Sequence, residues 1–133
     1  MSRKTLKTLF IVSVLVILTS ACSAATSKRV DWVCVNHENE FDCRYTLFSG
    51  QETENINLRT GEILAISFDV EVESGELQMI LMNDSEEPVW KITLKESLSD
   101  VTSYQATENG DFYLVIKGMD AAGSFNITWQ ILE

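Results

Sequence analysis

The sequence has one histidine, one proline and only three cysteines among its 133 residues. Histidine is the side chain most used for acid–base and metal chemistry near neutral pH. Here the single His37 lacks the ligand spacing of a zinc site. No Gly-x-Ser-x-Gly nucleophile motif is present either. Few catalytic sites can be built from these residue types. We therefore expect a protein that is not an enzyme and that has no metal site with a histidine ligand.

Basic charge is also scarce. Ten basic residues stand against twenty acidic ones, and three of the ten (Arg3, Lys4 and Lys7) lie at the N-terminus. Residues 22–133 therefore contain seven basic and twenty acidic residues, a net charge of −13. A surface this acidic repels phosphate groups. We therefore expect no nucleic-acid partner.

One long hydrophobic run is present, from Leu9 to Leu18, and it is interrupted only by Ser13. A membrane-spanning helix needs about 20 apolar residues, so the run is short for that role. Basic residues before it and small residues after it are typical of a secretory signal peptide. One interpretation of this segment is an ordinary secretory signal peptide that is cleaved after Ala24 or Ala25 and leaves a secreted product.

The run ends in Leu18-Thr19-Ser20-Ala21-Cys22, which resembles the lipobox of bacterial lipoproteins. Thr19 occupies the position where that family usually has leucine. The resemblance implies cleavage before Cys22, attachment of a diacylglycerol to its sulfur, and a location on the extracytoplasmic face of the cell membrane. The predicted organisation is a signal peptide (residues 1–21), a lipidated flexible tether (22–28) and a single domain (29–133).

Apolar and polar residues alternate with period two along most of residues 29–133, the pattern of half-buried β-strands. Phe125–Ile131 alternates without a fault, and glycines punctuate the segments. This pattern predicts an all-β fold, an antiparallel β-sandwich of eight or nine strands with a jelly-roll-like arrangement. An open barrel is the alternative that alternation alone does not exclude.

The first predicted hairpin pairs Arg29–His37 with Glu40–Phe48. Its register places Cys34 opposite Cys43, and a slip of one residue would reverse both faces. We therefore predict a Cys34–Cys43 disulfide, against the alternatives of a redox pair or free thiols. Two further hairpins are predicted: Ile63–Glu73 with Glu76–Asn83 around Ser74-Gly75, and Phe112–Lys117 with Ser124–Ile131 around Gly118–Gly123.

The outer side of the last predicted hairpin is the candidate ligand-binding face. If its apolar residues point inward, Tyr113, Asn126, Thr128 and Gln130 point outward together. An aromatic ring beside amide and hydroxyl groups on a flat sheet is typical of sugar-binding surfaces. A plain solvated face is the alternative interpretation.

Acidic residues cluster between Asp69 and Glu76 and between Asp84 and Glu87. Carboxylate-rich loops can bind calcium, so a structural calcium ion is the one cofactor that the sequence suggests. However, no Asp-x-Asp-x-Asp-Gly loop is present. A solvated acidic face that protects the sheet from edge-to-edge aggregation is the favoured interpretation.

From Asn55 onward the chain resembles the jelly-roll modules found C-terminal to secreted peptidases, the pre-peptidase C-terminal type, and in small lipoproteins. The resemblance rests on Leu58–Glu62, Ser74–Leu77, Asn109–Leu114 and Gly123–Phe125. It implies a non-catalytic module and transfers no functional residue. We therefore expect a membrane-anchored module that contacts a surface protein or polysaccharide. A small-ligand or calcium-binding lipoprotein and an extracytoplasmic hydrolase are the alternatives.

Overall fold

The computed structural model describes residues 27–133, so the predicted signal peptide 1–21 and Cys22 lie outside the described residues. The described residues form seven antiparallel strands: β1 (Lys28–Val30), β2 (Val33–His37), β3 (Glu40–Leu58), β4 (Ile63–Met82), β5 (Pro88–Leu94), β6 (Leu98–Gln105) and β7 (Gly110–Leu132). In this part of the chain no helix is long and apolar enough to cross a membrane. The predicted all-β, antiparallel sandwich is confirmed, with seven strands in place of eight or nine.

Three strands dominate the fold, because β3, β4 and β7 contain 19, 20 and 23 residues. A typical strand has about five or six. The central strand β7 pairs with β3 on one side and with β4 on the other along nearly its whole length. Each long strand bends near its middle, so that its two halves belong to two different layers.

We call these layers sheet I and sheet II. Sheet I consists of β2, β6 and the halves 40–48, 63–72 and 121–132 of the long strands. Sheet II consists of β5 and the other halves, 50–58, 76–82 and 110–118. The short strand β1 pairs with β3 at the bend.

Aromatic contacts show that the two sheets face each other. Tyr104 on sheet I lies 5.7 Å from Phe112 on sheet II, between ring centroids. Phe68 on sheet I and Trp90 on sheet II are 6.4 Å apart. The space between the sheets is filled by apolar side chains from both layers. The largest fully buried ones are Phe48, Phe112, Phe125, Leu58, Leu64, Ile66, Leu77, Met79, Leu81, Leu114, Ile116 and Ile127.

The bends depend on glycine where the strands cross closely. Gly75 has a φ of 71° and Gly123 a φ of 141°, values that favour glycine. A Cβ atom on Gly123 would collide with the carbonyl oxygen of Glu71 on the neighbouring strand. A side-chain hydrogen bond links the bends of β3 and β7: the Ser49 hydroxyl donates to the Asp120 carboxylate over 2.9 Å.

The first predicted hairpin is confirmed. Cys34 pairs with Cys43 and Val30 with Leu47, in the register that the hydrophobic pattern predicts. The Cys34–Cys43 disulfide is formed. Asp31 adopts a positive φ of 50° and interrupts the strand, so the predicted Arg29–His37 strand is divided between β1 and β2.

The second and third predicted hairpins are wrong. Ser74-Gly75 and Gly118–Gly123 are bends inside β4 and β7, and the two halves of each strand do not pair with each other. Each half pairs instead with another long strand, because this arrangement satisfies the backbone groups of β7 on both sides. The structure thus replaces two local hairpins with two continuous strands.

An aromatic cluster fills the end of the core beside the disulfide. Trp32 stacks on Tyr45 with ring centroids 5.6 Å apart, and it lies 4.7 Å from Phe48. The Arg29 guanidinium covers Trp32, 4.6 Å from the ring centroid, and forms an ion pair with Glu52 over 2.6 Å. Burial in this cluster raises the pKa of Tyr45 to about 12.

Candidate ligand-binding face

The structure separates the residues of the predicted ligand-binding face. Tyr113 lies on the sheet II half of β7, where it is paired with Asn55 and Met82. Asn126, Thr128 and Gln130 lie on the sheet I half of the same strand. Since both groups point away from the core and the sheets face each other, Tyr113 lies on the opposite side of the sandwich from the other three.

The outer surface of sheet II around Tyr113 is called here the Tyr113 face. Its residues occupy the outward positions of four neighbouring strands: Gln51, Thr53, Asn55 and Asn57 on β3; Asp111, Tyr113, Val115 and Lys117 on β7; Glu76, Gln78, Ile80 and Met82 on β4; Lys91 and Thr93 on β5. Uncharged polar groups predominate on the outer strand, β3. Aromatic and aliphatic groups lie in the middle of the face.

Two aliphatic side chains form the floor of the Tyr113 face. Val115 and Ile80 are paired across β7 and β4 and are only 6% and 9% exposed. Neither belongs to the hydrophobic core between the sheets. Because they point away from the core, the longer side chains around them on the outer surface must shield them from solvent. The result is an apolar floor beside the half-buried Tyr113 and Met82.

Polar groups flank this floor on both sides. On β3, Thr53 pairs with Val115 and Asn55 pairs with Tyr113, and both polar side chains are exposed. On the other side, the Gln78 amide donates a hydrogen bond to the Thr93 hydroxyl over 3.2 Å. An aromatic ring, an apolar floor and amide and hydroxyl groups therefore lie together on the outer side of sheet II.

The sequence carries a signal for the β3 part of this face that the hairpin interpretation missed. Gln51, Thr53, Asn55 and Asn57 are four uncharged polar residues at every second position. Period two places such residues on one side of a strand. Their neighbour could not be identified as Tyr113 without the pairing of β3 with β7.

The outer surface of sheet I has a different character. Asn126 donates to the Glu40 carboxylate over 2.9 Å, and Ser99 donates to Asp69 over 2.6 Å. A shallow groove of about 480 Å³ runs between β4, β6 and β7, and Asn126 and Thr128 contribute to its lining. This surface offers hydrogen-bonding groups, but Asn126 and Ser99 already bind carboxylates, and the one aromatic residue in the groove lining, Phe68, is buried.

The catalytic and metal-binding possibilities are narrow within residues 27–133. No group of three or more His, Cys, Asp or Glu side chains in this range is placed to hold a metal ion. Its buried side chains are all hydrophobic, with no polar or charged residue among them. His37 is exposed at the end of β2, paired with Glu40. Calcium binding stays a prediction.

Comparison with solved structures places the fold among β-sandwich domains. A CBM4 domain superimposes with a TM-score of 0.56 at 9% identity, covering 85% of this chain and 81% of that chain. A carbohydrate-binding module of Cellvibrio mixtus lichenase 5A, in complex with cellotriose, gives a TM-score of 0.47 at 12% identity over 82% and 90%. The pre-peptidase C-terminal domain of Bacillus anthracis collagenase gives 0.46 at 14% identity over 61% and 77%.

No protein-family model matches this sequence, and no curated protein sequence does so at a significant level. At these identities the structural likeness describes the fold alone. The statement about the fold rests on the CBM4 domain, because its TM-score is the only one of the three above 0.5. The chain is a β-sandwich of the kind found in carbohydrate-binding modules.

Proposed function

We propose that this protein is a non-catalytic module that binds polysaccharide through the Tyr113 face. The observation that carries the proposal is the position of Tyr113 beside Asn55 and next to the floor formed by Val115 and Ile80. The covered floor of Val115 and Ile80 supports the side chains around it. The C–H groups of a sugar ring pack against an aromatic ring such as the half-buried Tyr113, and its hydroxyls bond to amide and hydroxyl side chains. The face supplies both kinds of contact.

The rigidity of the face also supports binding. Its residues lie on four paired strands and not on loops, so their backbone positions are fixed before a ligand arrives. Fixing side chains on binding costs free energy, and a preorganised surface reduces that cost. The Gln78–Thr93 hydrogen bond already holds two of the side chains. The fold supports the proposal as well, since the CBM4 domain has the same sandwich architecture.

Affinity electrophoresis of the soluble domain, residues 26–133, tests the proposal in gels that contain different polysaccharides. Binding retards the protein relative to a gel without polysaccharide. We expect Tyr113→Ala to abolish most of the retardation and Tyr113→Phe to keep it, because the ring supplies the stacking contact.

Gln130→Ala is the matched control. Gln130 is exposed on the opposite face and lies on the same strand as Tyr113. Its replacement should leave the retardation unchanged. Loss of binding in Gln130→Ala but not in Tyr113→Ala would assign the ligand to sheet I. If no polysaccharide retards the wild-type domain, the proposed function is wrong.

We further propose that Cys22 carries the lipid that attaches this module to the extracytoplasmic face of the cell membrane. The support is the lipobox-like sequence Leu18–Cys22 and the pairing of the other two cysteines with each other. Cys22→Ala should release the protein from washed membranes into the soluble fraction. Retention of the variant in the membrane fraction would contradict the lipid anchor.

A further inference from the structure

We infer that the Tyr113 face selects a polysaccharide that carries carboxylate groups over a neutral one. This inference rests on the proposed function and adds the chemical class of its ligand. It comes from the way charge is divided between the two outer surfaces of the sandwich.

The Tyr113 face is the less acidic of these two surfaces. It carries Lys91 and Lys117, both exposed, and two carboxylates, Asp111 and Glu76. Each carboxylate is four residues along its strand from the floor residue of that strand, whereas Lys91 pairs with Ile80 and Lys117 is two residues from Val115. Asp111 lies at one end of the face and accepts a hydrogen bond from Asn57 over 3.1 Å. The face therefore has no net charge on a domain whose overall charge is strongly negative, and its cations lie nearest to the apolar floor.

The outer surface of sheet I is negatively charged. The outward positions of its long strands carry four carboxylates and one cation: Glu40, Asp42, Asp69, Glu71 and Arg44. An acidic polysaccharide is repelled there, whereas on the Tyr113 face two lysines beside the apolar floor can contact its carboxylates. Of these two surfaces, the Tyr113 face is therefore the more favourable one for an anionic ligand.

The two lysines lie on either side of the apolar floor. Lys91 is paired directly with Ile80, while Lys117 is paired with Gln78, one pleat further along. Their Cα atoms are two strand spacings and two residues apart, roughly 12 Å from the geometry of a sheet. Two carboxylates on different sugar residues of one chain can be reached by two cations with this separation.

Screening allows the local charge to outweigh the net charge. At physiological ionic strength the Debye length is about 8 Å, and packed sheets lie about 10 Å apart. The carboxylates on the outer surface of sheet I are further away than that from a ligand on sheet II. The contact between a lysine and a carboxylate, at about 4 Å, is screened much less.

The test compares polygalacturonate, a carboxylated polysaccharide, with neutral hydroxyethylcellulose in the same affinity gels. We expect tighter binding to polygalacturonate. Lys91→Gln and Lys117→Gln should each weaken it about fivefold, the effect of removing one contact between unit charges in water. The double variant should weaken it about 25-fold. Lys28→Gln, on β1 outside the face, removes one charge as a control and should have no such effect.

Each outcome distinguishes this inference from the proposed function. Equal binding of the two polysaccharides, or stronger binding of the neutral one, overturns the inference and leaves polysaccharide binding standing. Binding to polygalacturonate that is insensitive to both lysine variants also overturns it. If the domain binds neither polysaccharide nor any other tested, both proposals fail.

Discussion

Replacing Gly123 with alanine should strongly destabilise the domain, because β7 bends there between its two neighbours. Gly123 has a φ of 141° and is paired with Val72 on β4 and with Tyr45 on β3. A side chain in this region of φ costs about 1–3 kcal/mol. The alanine Cβ also collides with the Glu71 carbonyl oxygen, so that strand has to move.

The collision adds to the backbone cost. Moving β4 away from β7 weakens two or more ladder hydrogen bonds, each worth about 1 kcal/mol. The expected loss in the free energy of unfolding is therefore about 3–5 kcal/mol, a large part of the roughly 5–15 kcal/mol that a domain possesses.

Gly61→Ala is the matched control. Gly61 has a φ of 93° and no atom within 4 Å of a Cβ placed on it. Only the backbone cost of about 1–3 kcal/mol applies there, so the expected loss is smaller than that of Gly123→Ala. Urea unfolding followed by tryptophan fluorescence measures both values. Equal losses in the two variants would refute the description of β7 as one strand that bends at Gly123.

Reducing the Cys34–Cys43 disulfide, which closes a loop of sequence separation 9, should lower the free energy of unfolding by about 2.7 kcal/mol on the chain-entropy model. Urea unfolding with and without reductant measures this, and an unchanged midpoint would contradict it. Because burial raises the pKa of Tyr45 from 10.0 to about 12, the folded state holds that proton more tightly than the unfolded state. The resulting stabilisation is complete below pH 10 and is lost as pH rises toward 12; Tyr45→Phe should flatten stability across this window, and an unaltered pH profile would count against the assignment. Phe48→Ala, at a fully buried site, should cost about 3–5 kcal/mol, and a loss below 1 kcal/mol would show that the aromatic cluster is not packed as described.

The alternation of apolar residues predicts the strands well. It also fixes the first hairpin, since Cys34, Cys43 and the surrounding apolar residues agree on one register. Local pattern is sufficient there because both strands and the turn lie within about twenty residues of each other.

The same pattern could not distinguish a bend from a hairpin. In β4 the inward residues are even-numbered up to Val70 and odd-numbered from Leu77. A two-residue hairpin turn at Ser74-Gly75 requires this same switch, because paired residues across such a turn have one even and one odd number. Glycine with a positive φ suits both structures. Only the pairing with distant strands decides between them.

This ambiguity explains why the candidate site was predicted only in part. Tyr113 was identified as an outward aromatic residue, and it is outward. The alternation pattern predicts Asn126, Thr128 and Gln130 beside it, because it predicts that Phe112–Lys117 folds back on Ser124–Ile131. The structure gives Tyr113 different neighbours, Asn55 and Met82, from strands far away in the sequence.

Mapping backbone amide shifts by NMR during titration with a bound polysaccharide tests the central claim most directly. If the Tyr113 face binds the ligand, the shifts should concentrate on Asn55, Ile80, Tyr113 and Val115, which lie together on sheet II. Shifts concentrated on Asn126, Thr128 and Gln130 would contradict the claim, because those residues lie on the opposite side of the sandwich.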